Sequence, residues 1–107
     1  MKFGVSDTDW ALIQRLFVRS FAHVKTAELW LFGSRSRGTQ ALFSDIDLLV
    51  RGEGVLKNDV TLFQEALDDS SLPYLCDVVF QPELAPEYQE KVENEKVLLF
   101  RSEPQKP

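Results

Sequence analysis

The sequence predicts one α/β or α+β domain, a small mixed β-sheet flanked by helices, and three observations carry that expectation. Stretches with helical and strand-like hydrophobic spacing alternate as helix, strand, helix, strand, helix, strand, helix, with no internal repeat or linker between them. At 107 residues the chain is long enough for one core and has little left for a second. Its 44% hydrophobic and 27% charged residues are the proportions of an ordinary globular protein.

The first helix opens at Ser6-Asp7-Thr8-Asp9, where Ser6 suits the N-cap and the acids suit the positive end of the helix. Ile13, Leu16, Phe17, Ser20, Phe21 and Val24 recur at helical spacing and define its buried stripe, so the aromatic rings here belong to the core. His23, near the helix end, reads as structural. Ala27 to Phe32 forms the first strand. Gly33 and Ser34 then turn the chain, and Ser34 opens a short helix. A second strand begins at Asp45 and ends near Arg51, where Gly52-Glu53-Gly54 breaks it. Asn58 or Asp59 caps another helix to about Asp68, with Val60, Phe63 and Leu67 inward. Pro73 keeps Leu72 out of helix, and Tyr74 to Phe80 reads as a third strand interrupted by one acid, Asp77. Pro86 takes the first position of a last helix, Glu87 to about Glu95, with Tyr88 and Val92 inward and Asn94 suited to a left-handed close. Val97 to Phe100 adds a short edge strand. The domain is therefore expected over residues 1–101, with a flexible tail over 102–107. Cys76, the single cysteine, lies in an apolar run and serves as a small buried residue.

The chemistry concentrates between Leu29 and Val50. Strand alternation sends Asp45 and Asp47 to one face, roughly 7 Å apart at their backbones, and Ile46, Leu48 and Val50 to the other. Two like charges this close call for a cation, and hard oxygen ligands suit Mg²⁺, which leaves positions for water and substrate phosphates. Gly33 lets the backbone approach a ligand closely, and Ser34 adds a hydroxyl and the free N–H groups of a helix start. Arg35 and Arg37 bring cationic donors to the same corner. Gly33 to Gly38 also matches the start of a P-loop, but Thr39 and Gln40 stand where that motif needs Lys and then Ser or Thr, which excludes it. Asp77, a charge in an otherwise apolar strand, must be solvated, paired or metal-bound.

Charge and hydropathy exclude other classes. A formal net charge of −5 argues against a general nucleic-acid surface, which rests on Lys and Arg contacts with phosphates. The positive charge is local, at Arg35, Arg37 and Arg51, and suits a small triphosphate. No apolar run approaches the roughly 18 residues of a membrane span, and Met1 to Asp7 lacks the apolar core of a signal peptide, so a cytoplasmic protein is expected.

The same stretch resembles the nucleotidyltransferase superfamily with the polymerase-beta-like palm. That signature is Gly-Ser, about ten residues, then Asp-x-Asp; here Gly33-Ser34 is followed by the ten residues Arg35 to Ser44 and then Asp45-Ile46-Asp47. The chain is similar in particular to the minimal nucleotidyltransferases, including those paired as antitoxins with HEPN-type toxins. The resemblance implies a nucleotidyltransferase fold, for which α+β is the better label, and a third carboxylate on the strand beside Asp-x-Asp, which Asp77 matches. It implies that Asp45, Asp47 and Asp77 are catalytic and hold one or two Mg²⁺ ions, and that Gly33, Ser34, Arg35 and Arg37 bind the nucleotide. The implied reaction is transfer of AMP from ATP to a hydroxyl of a partner protein, a HEPN-type toxin, as an antitoxin activity. Two alternatives stand beside it: a non-catalytic nucleotide-binding module that neutralises a partner by masking, and NMP transfer to a small molecule with a homo-oligomer completing the pocket.

Overall fold

The computed structural model describes residues 1–102. Helix α1 (Asp7–Ser20) starts as expected, Ser6 Oγ accepting the Asp9 N–H at 3.2 Å. It buries Trp10, Ile13 and Phe17, and Phe21 and Val24 continue the stripe beyond its end. Trp10 escaped the sequence pattern because the N-terminal residues fold back over it, its indole N–H donating to Lys2 O at 2.8 Å.

Strands β1 (Ala27–Phe32), β2 (Ile46–Arg51), β3 (Cys76–Phe80) and β4 (Val97–Ser102) form one sheet in the order β3-β2-β1-β4. β2 and β3 run parallel and the other pairs antiparallel, so the sheet is mixed. A parallel pair needs a crossover, and α3 (Lys57–Asp68) supplies it. Alternation then divides the sheet into two faces. Ala27, Leu29 and Leu31 of β1 and Ile46, Leu48 and Val50 of β2 are buried in one core with the residues of α1 and α3. At its centre Phe17, Phe21 and Phe63 meet with ring centroids 5.2, 6.0 and 5.5 Å apart, at tilted or edge-on angles that aromatic rings favour.

Several boundaries differ from the sequence expectation. Helix α3 takes Leu56 as its N-cap; Asp59 acts from inside the first turn, accepting the Leu56 N–H at 2.9 Å and meeting His23 Nε2 at 2.8 Å. β3 begins at Cys76 rather than Tyr74, and burial pushes the Cys76 thiol up to about 12, with the charges of Asp68 and Asp45 adding to the shift. After a 3₁₀ turn (Gln81–Glu83), α4 (Pro86–Glu95) buries Val92 alone; Tyr88, expected inward, is 56% exposed. The helix closes on Lys96 in an extended conformation, so Asn94 is not the left-handed terminus. β4 continues to Ser102, which pairs with Ala27, so the first residue of the expected tail belongs to the sheet; residues 103–107 lie outside the described residues. Among the described residues no helix is long and apolar enough to cross a membrane.

Candidate nucleotide site

The second face of the sheet carries Phe32, Asp47, Leu49, Asp77 and Val79. Phe32 pairs with Asp47 across β1 and β2, and Asp47 pairs with Asp77 across β2 and β3. Residues in register point to the same face, so the two carboxylates stand on adjacent strands, about 5 Å apart at the backbone.

The chain leaves β1 through Gly33, whose φ is +80°. A Cβ at Gly33 would lie 2.2 Å from Asp47 Oδ2. Only glycine lets the turn and the carboxylate share this space. The single turn α2 (Ser34–Arg37) follows, tied down by the Ser36 N–H and Oγ, which both donate to Gly33 O at 3.1 and 2.7 Å. Gly33, Ser34, Arg37, Asp47 and Asp77 all line one pocket of about 450 Å³.

Two expected members stand elsewhere. Asp45 precedes β2, is exposed, and does not line the pocket; it acts on the site through its charge. Arg35 is 1% exposed and turned away from the pocket. Its Nε and Nη2 donate to Ser44 O at 3.1 and 2.7 Å, its Nη1 donates to Phe3 O at 2.9 Å, and its guanidinium lies 4.7 Å from the Tyr74 ring centre. Arg35 therefore pins the N-terminal segment to the loop that leads into Asp45, a structural task in place of the phosphate contact expected of it. Arg51, the third flanking cation, is likewise engaged, bonding Glu28 at 2.6 Å and stacking on Trp30.

Helix α4 completes the pocket with residues that the sequence reading did not assign to the site. Tyr88, Lys91, Val92 and Glu95 line it from one helix face, and their spacing of three, one and three residues is the signal that marks such a face. Glu95 Oε1 accepts the Gly33 N–H at 3.2 Å, and its Oε2 accepts from Arg37 Nη1 at 2.5 Å.

The electrostatics follow from this crowding. Burial raises the proton affinity of Asp47 above the usual aspartate range, the charges of Asp77, Asp45 and Glu95 raise it further, and Arg37 opposes them. Among the described residues no three acidic, imidazole or thiol groups form a ready-made cage for an ion. The donor set still fits the divalent metal that the resemblance implies: Mg²⁺ is commonly held by one or two carboxylates, with water and substrate phosphates completing it, and Asp47 and Asp77 offer two like-charged carboxylates open to the same pocket.

Comparison with known proteins bears on the fold that carries this pocket. A family profile described as a nucleotidyltransferase domain matches residues 14–99. A crystal structure of a toxin–antitoxin with AMP-PNP superposes with a TM-score of 0.66 at 24% identity, covering 86% of this chain and 73% of that one. A mutant of the toxin–antitoxin MntA-HpeT gives 0.64 at 22% identity, covering 85% and 72%. A protein from Sulfolobus solfataricus, described as a nucleotidyltransferase, gives 0.52 at 24% identity over 84% and 74%. At these identities the likeness speaks for the fold. A search of curated proteins found no match.

Proposed function

The chain belongs to the nucleotidyltransferase domain family, and we propose that it transfers AMP from ATP, with Mg²⁺, to a hydroxyl of a partner protein, a HEPN-type toxin. The observation that carries the reading is the registered pair Asp47 and Asp77 beside Gly33, in a pocket that also holds Ser34 and Arg37. The similar fold of a toxin–antitoxin solved with AMP-PNP supports both the adenine nucleotide and the protein partner.

Asp47 and Asp77 would hold Mg²⁺, with Asp45 adding negative charge at the rim. The metal, when bound, supplies positive charge against the phosphate oxygens and acidifies the attacking hydroxyl. The chain's own groups do the rest. Gly33 N–H, the Ser34 hydroxyl and Arg37 bind and orient the triphosphate, and Lys91 adds a cation on the α4 side of the pocket. Asp77, exposed at the pocket, would take the proton of the incoming hydroxyl. The new bond joins the acceptor oxygen to the α-phosphorus while the bond to the bridging oxygen breaks, and pyrophosphate leaves with that electron pair.

The masking reading has one observation in its favour: Glu95 already bonds both Gly33 N–H and Arg37, as an idle site could. Intact-mass analysis of the protein encoded beside this one separates the two. Transfer expects a nucleotide added in the presence of ATP and Mg²⁺, and no addition by Asp77→Asn, which keeps the shape and still binds the partner. Neutralisation of the partner by native and mutant alike, without added mass, would decide for masking.

A further inference from the structure

Glu95 stands in an unusual relation to the pocket it lines. Its carboxylate takes the Gly33 N–H and the Arg37 guanidinium together, and its side chain is only 11% exposed. These are two of the donors that the proposed function gives to the triphosphate, and a carboxylate asks of them the same thing a phosphate oxygen does. Two anions cannot share one N–H and one guanidinium edge at close range without strong repulsion. The pocket already contains Asp47 and Asp77, so it cannot spare Arg37.

We propose that Glu95 is an internal competitor for the nucleotide: its carboxylate occupies the phosphate donors of Gly33 and Arg37 in the free protein, and an incoming phosphate must displace it. The inference rests on the reading of this pocket as the triphosphate site. Glu95 is the last residue of α4, two residues before β4 begins, and the displacement is a rotation of its side chain. The displaced carboxylate turns toward solvent, while Lys91, one turn earlier on the same helix face, stays with the bound phosphates. The device keeps the phosphate corner charge-balanced when empty and sets a threshold of nucleotide affinity, since the corner is competent only in the fraction of molecules with Glu95 swung out.

The test compares native protein with Glu95→Gln, which keeps size and shape but removes the charge. Binding of Mg²⁺ with AMP-PNP, and of inorganic tripolyphosphate without metal, is measured by calorimetry. If the ion pair holds about nine-tenths of the molecules closed, Glu95→Gln binds both probes about ten-fold more tightly. The Gly33 amide resonance gives a second readout: it should differ between free native protein and free Glu95→Gln, and should converge when both are saturated with tripolyphosphate. Affinity that is unchanged or weaker in Glu95→Gln, with the native protein binding normally, makes Glu95 a positioning residue and overturns the inference alone. Failure of either probe to bind native protein and variant overturns the triphosphate reading along with it.

Discussion

Replacing Arg35 with Met removes a cation that the sequence assigns to the nucleotide phosphates and whose contacts are those of a structural pin. Methionine retains a long unbranched stem but none of the three donated bonds, so Ser44 O and Phe3 O both lose their guanidinium partner. Each carbonyl left without its bond costs about 1–3 kcal/mol. The lost stacking on Tyr74 costs about 0.5–2 kcal/mol more. Against this, the variant no longer buries a guanidinium, whose effective desolvation cost is several kcal/mol. The expected balance is a loss of about 3 kcal/mol, the orphaned carbonyls and lost stacking outweighing the desolvation relieved. With an unfolding entropy of about 2.1 cal/mol/K per residue, that corresponds to a melting temperature about 13 °C lower. Thermal and urea denaturation followed by circular dichroism measure it, and Mg²⁺–AMP-PNP calorimetry well below the transition should find most of the affinity retained. A variant that melts within about 3 °C of native yet has lost the nucleotide would return Arg35 to the phosphate corner and refute the reasoning.

Three further outcomes are expected. Asp47→Asn should stabilise the metal-free protein at pH 7: a raised carboxylate pKa means that folding favours the protonated form, so the native protein loses stability as pH rises from the ordinary value of 3.8 through the raised one, and the amide escapes that loss. If the two carboxylates keep the ~5 Å spacing of their backbones, they repel by ~0.8–3 kcal/mol for an effective dielectric of 80 to 20, and the exposure of Asp77 puts the gain at ~1 kcal/mol, read as a higher melting temperature in EDTA; a lower one contradicts the electrostatic reading. Gly33→Ala combines a positive-φ extended backbone that is essentially glycine's alone, at about 1–3 kcal/mol, with a Cβ driven into Asp47, so it should lose both stability and nucleotide affinity in urea titration and calorimetry, whereas Ser34→Ala should change stability by less than about 0.5 kcal/mol. Glu28 is held down to about 2, first by its bond from Arg51 and then, against the opposing effect of burial, by Arg101 and Trp30; its contribution is present above pH 4.5 and lost as pH falls through about 2. Glu28→Gln should therefore be about 1 kcal/mol less stable at pH 7 and lack that part of the acid loss, which unfolding curves from pH 7 to 2 would reveal.

What could be read from the sequence was what depends on neighbours along the chain. The apolar alternation of β1 and β2, the Ser6 cap, the break at Gly52 to Gly54 and the Gly33-Ser34 turn are all local patterns, and each stands within a residue of where it was expected. Asp77 was legible for a different reason, since a charge inside an apolar strand demands an explanation. The contacts that decide the rest span long separations. Arg35 is buried because Phe3, Ser44 and Tyr74 converge on it from three segments, and an arginine after Gly-Ser looks the same in sequence whether it holds phosphate or backbone. Glu95 reaches Gly33 from 62 residues away, so its place in the pocket follows from the β4 pairing that returns the chain to β1. Asp45 stands one residue before the strand, at an exposed position outside the pocket lining, and reaches Asp47 through its charge.

The central claim is that this pocket directs attack on the α-phosphorus of a nucleoside triphosphate by a hydroxyl carried on another protein. It is tested most directly by incubating the chain with Mg²⁺ and ATP labelled on the α- or on the γ-phosphorus, beside the protein encoded next to it. The account expects the α-label to become bound to that protein and the γ-label to appear as pyrophosphate, with both signals lost in Asp77→Asn. Retention of the γ-label on the acceptor, or transfer undiminished in Asp77→Asn, would contradict it.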